Sequence, residues 1–273
     1  MEIDNIYNED CLLGLRKMPD NFVDLTITSP PYGELRTYNG YSFDFENIAK
    51  ELYRVTKDGG IVVWVCADSV VDGSESGTSF RQALYFKEIG FNIHDTMIYL
   101  KSGSSCPDPT RYFQDFEYIF VFSKGKPKTF NPIMREKKAS SIEKKLHRGT
   151  IRLADGTLKT VYRDTRNIYC VHSNVWHYDA GKHKSTKDYY ASAHPAIFPE
   201  KLAEDNVLSW SNEGDLVLDP FMGSGTTGKM AILNHRHYIG FEISSEYCKI
   251  IDRRIKEAKE TVKSADNLKE FFI

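Results

Sequence analysis

The sequence predicts an α/β fold built on a mainly parallel sheet. Three observations carry that expectation. Apolar, β-rich runs lie at 24–28, 60–66, 96–100, 117–122, 215–219 and 237–241, and several lack alternation, as strands buried on both faces do. Helical spacing separates many of these runs, which is the rhythm of a layered α/β domain. The run at 215–219 passes directly into a glycine-rich turn and a further helical pattern.

Taken in order, the run at 24–28 ends on Ser29-Pro30-Pro31-Tyr32. Phe45, Ile48, Leu52 and Val55 then recur at helical spacing, and Gly59-Gly60 is expected to stop that helix. Trp64 falls in the next buried strand and reads as core. Pro199 opens a helix that carries Leu202 and Val207. Gly225 starts another, through Met230 and Leu233, and Ser245 starts an amphipathic C-terminal helix. Between about 124 and 190 the rhythm breaks. There, residues 151–162 alternate around Asp155-Gly156, the signature of a β-hairpin. The chain therefore divides into a core domain, 1–123 with 190–273, and an insertion at 124–189.

A length of 273 residues suits one large domain or a core with an insertion. The 41% hydrophobic and 27% charged residues are ordinary for a soluble globular protein. No apolar run approaches the roughly 18 residues a membrane span needs, and the acidic, polar N-terminus does not resemble a signal peptide. Five scattered cysteines without a C-x-x-C pair fit reduced thiols and a cytoplasmic location. The formal net charge of −2 conceals an asymmetry. Residues 124–188 hold 16 Lys and Arg against 6 Asp and Glu, and the rest of the chain holds 20 against 32. A basic segment in an acidic protein suggests a polyanion-facing surface; a solvated lysine-rich face is the competing account. Cys170, His172, His177 and His183 lie in that segment, but their spacing lacks the second cysteine of a zinc finger, so no metal is expected.

The glycine turn reads Asp219-Pro220-Phe221-Met222-Gly223-Ser224-Gly225-Thr226-Thr227-Gly228-Lys229. Glycines allow close backbone approach to a ligand, and a helix N-terminus presents free N–H groups. Gly223-x-Gly225-x-x-Gly228, with Glu242 19 residues after Gly223, fits a dinucleotide fingerprint. A phosphate-binding P-loop is disfavoured, because Met230 stands where a Ser or Thr would hold magnesium. The third reading is a loop for S-adenosylmethionine. Position favours it: only 31 residues follow Glu242, too few for the remaining strands of a doubly wound fold. Those strands must come from the N-terminal half, so the sheet is circularly permuted, an unusual order for a dehydrogenase.

Ser29-Pro30-Pro31-Tyr32 suits chemistry on an amino group conjugated to a ring. Such a nitrogen is a poor nucleophile until its lone pair is localised. The Ser29 hydroxyl and the Pro30 carbonyl are two acceptors for its hydrogens. The prolines stiffen the loop, and Tyr32 offers a flat face for an extruded base. A plain Ser-Pro-Pro turn with a packed Tyr is the competing account.

The two motifs together resemble the amino-group DNA methyltransferases of the permuted (β-class) type, whose catalytic motif precedes the cofactor loop. Asn8-Glu9-Asp10-Cys11-Leu12, Glu117–Lys124 and His194-Pro195-Ala196 with Phe198-Pro199 match further family segments. The resemblance implies a Rossmann-like S-adenosylmethionine-dependent methyltransferase fold. It places the methyl donor against Asp10, Cys11, His194, Asp219, Phe221, Gly223, Ser224, Gly225, Thr226 and Glu242. In that family the acid at the Asp10 position contacts the adenine of the cofactor, and the acid at the Glu242 position binds the ribose hydroxyls. The basic insertion lies where the family keeps target recognition. Double-stranded DNA is the implied partner, and a homodimer and a cognate restriction endonuclease are compatible with the resemblance. Ser at position 29 is more frequent in cytosine-N4 members, and Asp there in adenine-N6 members. The expectation is therefore N4 methylation of cytosine, with adenine N6 as the alternative. Protein-glutamine and RNA methyltransferases of related type usually carry Asn at that position. An NAD-dependent oxidoreductase and a non-catalytic DNA-binding protein are more remote readings.

Overall fold

Strand burial, helix spacing and turn chemistry all act in the arrangement that the chain adopts in a computed structural model. It describes residues 1–31, 43–102, 110–137, 146–164, 168–179, 181, 184–194 and 197–270. Contacts divide the described chain into two units, one of Met1–Asn131 with Asn174–Ile273 and one of Pro132–Ser173.

The first unit begins with β1 (Asn5–Tyr7), α1 (Cys11–Lys17) and β2 (Val23–Thr28). Next come α2 (Phe45–Val55), β3 (Thr56–Cys66), the short ribbon β4 (Val70–Val71) and β5 (Ser74–Glu75), and α3 (Thr78–Glu88). The strands β6 (Asn92–Ser102) and β7 (Phe116–Ser123) complete its N-terminal half. The second unit holds β8 (Met134–Glu136), β9 (Leu146–Arg152), β10 (Leu158–Asp164) and β11 (Tyr169–Val171). The chain then re-enters the first unit as β12 (Val175–Asp179), α4 (Glu200–Trp210), β13 (Leu216–Asp219), α5 (Thr226–Leu233), β14 (His237–Phe241) and α6 (Ser245–Glu270).

Eight strands form one sheet in the order β1-β14-β13-β2-β3-β7-β6-β12. The last strands of the chain, β13 and β14, thus lie between the first two, which is the permuted order the sequence implied. All neighbours pair in parallel except β7, which runs antiparallel to both β3 and β6. The non-alternating runs are the interior strands: every residue from Gly59 to Cys66 is buried, as are all four of β13. Alpha-2 buries Ile48, Leu52 and Val55 of the predicted stripe, with Ala49 beside them, while Phe45 is half-buried. Trp64 anchors an aromatic cluster: its ring meets Phe86 edge-on at 5.1 Å, and Phe86 stacks on Phe122 at 4.4 Å. Such pairs contribute about 0.5–1.5 kcal/mol each beyond area burial. The buried indole nitrogen of Trp64 donates to Gln82 Oε1 (2.9 Å) and is thereby satisfied.

Two expectations need correction. The helix at 45–55 does not continue to Gly59-Gly60; it ends at Val55, and β3 starts at once at Thr56. Gly59 adopts a left-handed φ of +80° within that strand. The segment 124–189 is also not one unit. Pro132–Ser173 is a unit of its own, whereas β12 belongs to the first unit as the edge strand of the central sheet, in parallel register with β6. Trp176 and Tyr178 alternate inward on β12 and are buried, so these aromatics pack rather than stack on a ligand. Within the second unit the Asp155-Gly156 turn does close a hairpin: Arg152 pairs with Leu158 and Leu146 with Asp164. Among the described residues no helix is long and apolar enough to cross a membrane, and no group of three His, Cys, Asp or Glu side chains is placed to hold a metal ion.

Candidate functional site

Parallel strands end on the same edge of a sheet, so their terminal loops become neighbours. Beta-2 and β13 pair in parallel, with Val217 opposite Leu25 and Leu218 opposite Thr26. Past Ile27, β2 leads into Thr28-Ser29-Pro30-Pro31, and β13 leads into Asp219-Pro220-Phe221. A direct bond joins the two loops: Thr28 Oγ1 donates to Asp219 Oδ1 at 2.7 Å.

Asp219 is the hub of this edge. Its Oδ1 also accepts the Phe221 N–H at 3.0 Å, and its Oδ2 accepts the Thr227 hydroxyl at 2.7 Å. Burial pushes its carboxyl up to about 6, against the opposing pull of those three donors. The side chain thus braces the glycine loop against β2 from within. Pro30 is buried, and Ser29 and Pro31 are half-buried. Tyr32 lies outside the described residues.

The glycine loop turns through two left-handed residues, Gly223 at φ +55° and Gly225 at φ +84°. Gly225 caps α5, so the loop delivers the chain into a helix N-terminus. Gly223 is also crowded: a β-carbon there would stand 3.1 Å from His194 Nε2. The His194 ring in turn meets Tyr247 edge-on at 4.5 Å. Phe221 is half-buried and packs edge-on against Phe43 (5.6 Å) and Trp64 (6.4 Å).

Glu242 follows β14 at the same edge. Its Oε2 accepts the Gly223 N–H and its Oε1 the Ser244 N–H, both at 2.8 Å. Burial raises its carboxyl above the ordinary glutamate range, and the nearby Asp219 charge adds to that. Each carboxylate oxygen has accepting capacity left for a second donor. Beta-1 lies parallel to β14, with Tyr7 opposite Phe241, and so brings the start of α1 alongside. Asn8 Nδ2 fastens the two together, donating to the carbonyls of Glu242 (2.8 Å) and Ile243 (3.0 Å). Asp10 caps α1, its Oδ1 accepting from Leu12 N (2.9 Å) and Leu13 N (3.1 Å). Cys11, the first helical residue, is buried.

One sheet edge therefore gathers Asp10, Cys11, Ser29, Pro30, Pro31, Asp219, Phe221, Gly223, Ser224, Gly225, Thr226 and Glu242, with His194 against Gly223. Sequence reasoning missed the residues behind them. Thr28 and Thr227 bind Asp219, and Asn8 ties β1 to β14. Arg254 is fully buried beneath Ser224. Asn8 and Thr227 lie inside motifs already quoted, and Arg254 left a trace as a charge inside the apolar stripe Ile251-Ile255-Ala258 of α6.

Comparison with known proteins gives consistent matches. A family model for N6/N4 methyltransferases, described as DNA methylase, matches residues 23–253. The orphan methyltransferase M.BamHII of Bacillus amyloliquefaciens is 60% identical over 240 residues, covering 87% of this chain and 90% of that protein. The DNA adenine methyltransferase YhdJ of Escherichia coli K12 is 32% identical over 270 residues, 94% of this chain and 84% of that one. Among solved structures, the cytosine-N4-specific PvuII DNA methyltransferase matches with a TM-score of 0.66 at 22% identity, covering 95% of this chain and 92% of that one. A complex of M1.HpyAVI with S-adenosylmethionine matches with a TM-score of 0.59 at 22% identity, over 92% of this chain and 98% of that one.

Proposed function

Because this chain belongs to the N6/N4 family of DNA methylases, we propose that it transfers the methyl group of S-adenosylmethionine to the N4 amino group of cytosine in duplex DNA. The observation that carries this reading is the Thr28–Asp219 bond, which holds an amino-group loop beside a nucleoside-binding loop on one sheet edge. The residues present fit the methyl donor. Glu242 offers a partly desolvated carboxylate to ribose hydroxyls, and the crowded, left-handed Gly223 leaves backbone rather than side chain facing the site. When bound, the donor supplies an electrophilic methyl on a sulfonium.

The chain's own residues do the rest. The Ser29 hydroxyl and the Pro30 carbonyl accept the two amino hydrogens, which draws the nitrogen lone pair out of conjugation. The stiff Pro30-Pro31 pair fixes those acceptors before the base arrives, so catalysis is positioning and electrostatics. Tyr32 supplies the ring on which the flipped base stacks. Within the basic 124–189 stretch, the Pro132–Ser173 unit contacts the duplex and selects the target. A homodimer and a restriction partner belong to the same reading, and light scattering tests the first.

Serine rather than a carboxylate at position 29 favours cytosine. The similarity to a DNA adenine methyltransferase favours adenine N6 as the second reading. Methylating duplex DNA, digesting it to nucleosides and weighing them by mass spectrometry separates the two. The expected product is N4-methylcytosine; N6-methyladenine alone overturns the base assignment and leaves the loop chemistry in place.

A further inference from the structure

Arg254 is the most deeply buried cation among the described residues, 0% exposed in the middle of α6. A guanidinium cannot lose its charge at such a site, so each of its donors needs a partner. Its Nη1 donates to the Ser224 carbonyl (2.8 Å), the Ser224 hydroxyl (3.2 Å) and the Thr226 hydroxyl (3.0 Å). Its Nε donates to Asp188 Oδ2 (2.8 Å) and its Nη2 to Glu200 Oε1 (2.6 Å). Lys229 of α5 donates to the same two carboxylate oxygens, each at 2.8 Å. Burial pushes the Asp188 and Glu200 carboxyls up; bonds and charges from Lys229 and Arg254 on Asp188, and bonds from Lys229 and the Thr186 hydroxyl with the charges of Lys229 and Arg254 on Glu200, more than offset it and hold both below their ordinary range.

Charge balance alone would not need an arginine. Lys229 already reaches both acids, and a second lysine would neutralise the set. What the planar fork adds is a third direction, toward Ser224. That residue sits between Gly223 and Gly225, two left-handed glycines with few intrinsic constraints on their dihedrals. A bond from below to the Ser224 carbonyl sets the orientation of the loop, and with it the Gly223 N–H that meets Glu242. The acids held by the same guanidinium flank the stretch that carries His194, whose ring rests against Gly223. One side chain thus locks both the loop and the segment lying on it.

We infer that Arg254 is a positioning residue for methyl-donor binding, acting through Ser224 to preorganise the glycine loop. This rests on the cofactor reading proposed above. Preorganisation raises affinity by removing the ordering cost from the binding step. The effect therefore falls on the donor and spares DNA.

The test is Arg254→Lys in the full chain, with Glu242→Ala beside it. Calorimetry gives the S-adenosylmethionine Kd, and steady-state assays give kcat and the KM of each substrate. Arg254→Lys keeps the charge for Asp188 and Glu200 but loses the fork. It is expected to weaken donor binding about tenfold or more, the loss of one charge-assisted bond, with kcat at saturating donor and the KM for DNA near wild type. Should Arg254→Lys not fold, the pair Arg254→Gln with Glu200→Gln removes one charge of each sign and is read the same way. Donor affinity unchanged in Arg254→Lys, or an equal loss in the KM for DNA, overturns the positioning role. Donor affinity unchanged in Glu242→Ala overturns the cofactor reading itself.

Discussion

The glycine loop at 219–227 and the turn of the hairpin at 146–164 both join regular elements, yet opposite physics specifies them. In the loop, Asp219, Ser224, Thr226 and Thr227 are all buried, and their polar atoms find partners within the protein. In the hairpin, Ile151, Leu153, Leu158 and Tyr162 are all exposed, the last two by 63% and 67%. No core selects its register; the Asp155-Gly156 turn does, with Thr157 N and Oγ1 both donating to Asp155 Oδ1. A region fixed by internal bonds tolerates little substitution and suits chemistry that never varies. A region fixed only by its turn is free to change its faces, which suits reading a particular DNA sequence.

The comparison breaks hardest at Ser29. If the buried edge holds the chemistry, Ser29→Ala removes an acceptor needed mainly in the transition state. Turnover is expected to fall about a hundredfold or more, with S-adenosylmethionine affinity by calorimetry near wild type. Equal losses in binding and turnover would place Ser29 in donor binding instead.

Glu242 sharpens the same side with a smaller effect. Removing its charged bonds is expected to weaken donor binding by roughly 1.5–3 kcal/mol in Glu242→Ala. The sign of the pH dependence follows from burial, which raises this carboxyl in the free protein. Hydroxyl donors from a bound ribose favour the charged form, so binding lowers the pKa and releases a proton. Donor affinity is therefore full at higher pH and declines as pH falls through the raised value, earlier than for an ordinary glutamate. Titrating calorimetric affinity against pH checks this; a flat profile that matches Glu242→Gln removes the carboxylate from the site.

What the sequence made legible divides along the same line. Runs without alternation marked the interior strands, and Asp155-Gly156 marked the hairpin, because burial and turn chemistry are written in residue type. The pairing of the two loops was legible only through the motifs' order along the chain. Beta-7 running against its neighbours was not legible, since strand direction is a property of topology. Nor was β12, whose five residues lie in a basic stretch with only Trp176 and Tyr178 turned inward. The bracing of Asp219 by Thr28 and Thr227 joins positions 191 and 8 residues away, respectively. Two threonines in a strand and a helix carry no signal of such a bond.

The hairpin carries the smallest expected effect. Arg152 pairs with Leu158 and Arg148 with Tyr162, so both arginines share one face with two exposed apolar side chains. Arginine beside an exposed aromatic suits a phosphate contact with a stacking neighbour. Replacing both, as Arg148→Ala with Arg152→Ala, should weaken DNA binding several-fold at moderate salt and leave donor affinity unchanged. The slope of log affinity against log salt should fall by about 2, roughly 0.9 for each phosphate that is no longer neutralised. The loss should be similar on cognate and unrelated duplexes, because bonds to phosphate carry no base information. Tyr162→Ala should instead cost affinity on the cognate site more than on others, with the salt slope intact. Fluorescence anisotropy across a salt series on both duplexes measures each quantity. If the slope stays at its wild-type value in the double variant, this face does not meet the duplex, and the charge asymmetry of the chain is only a solvated surface.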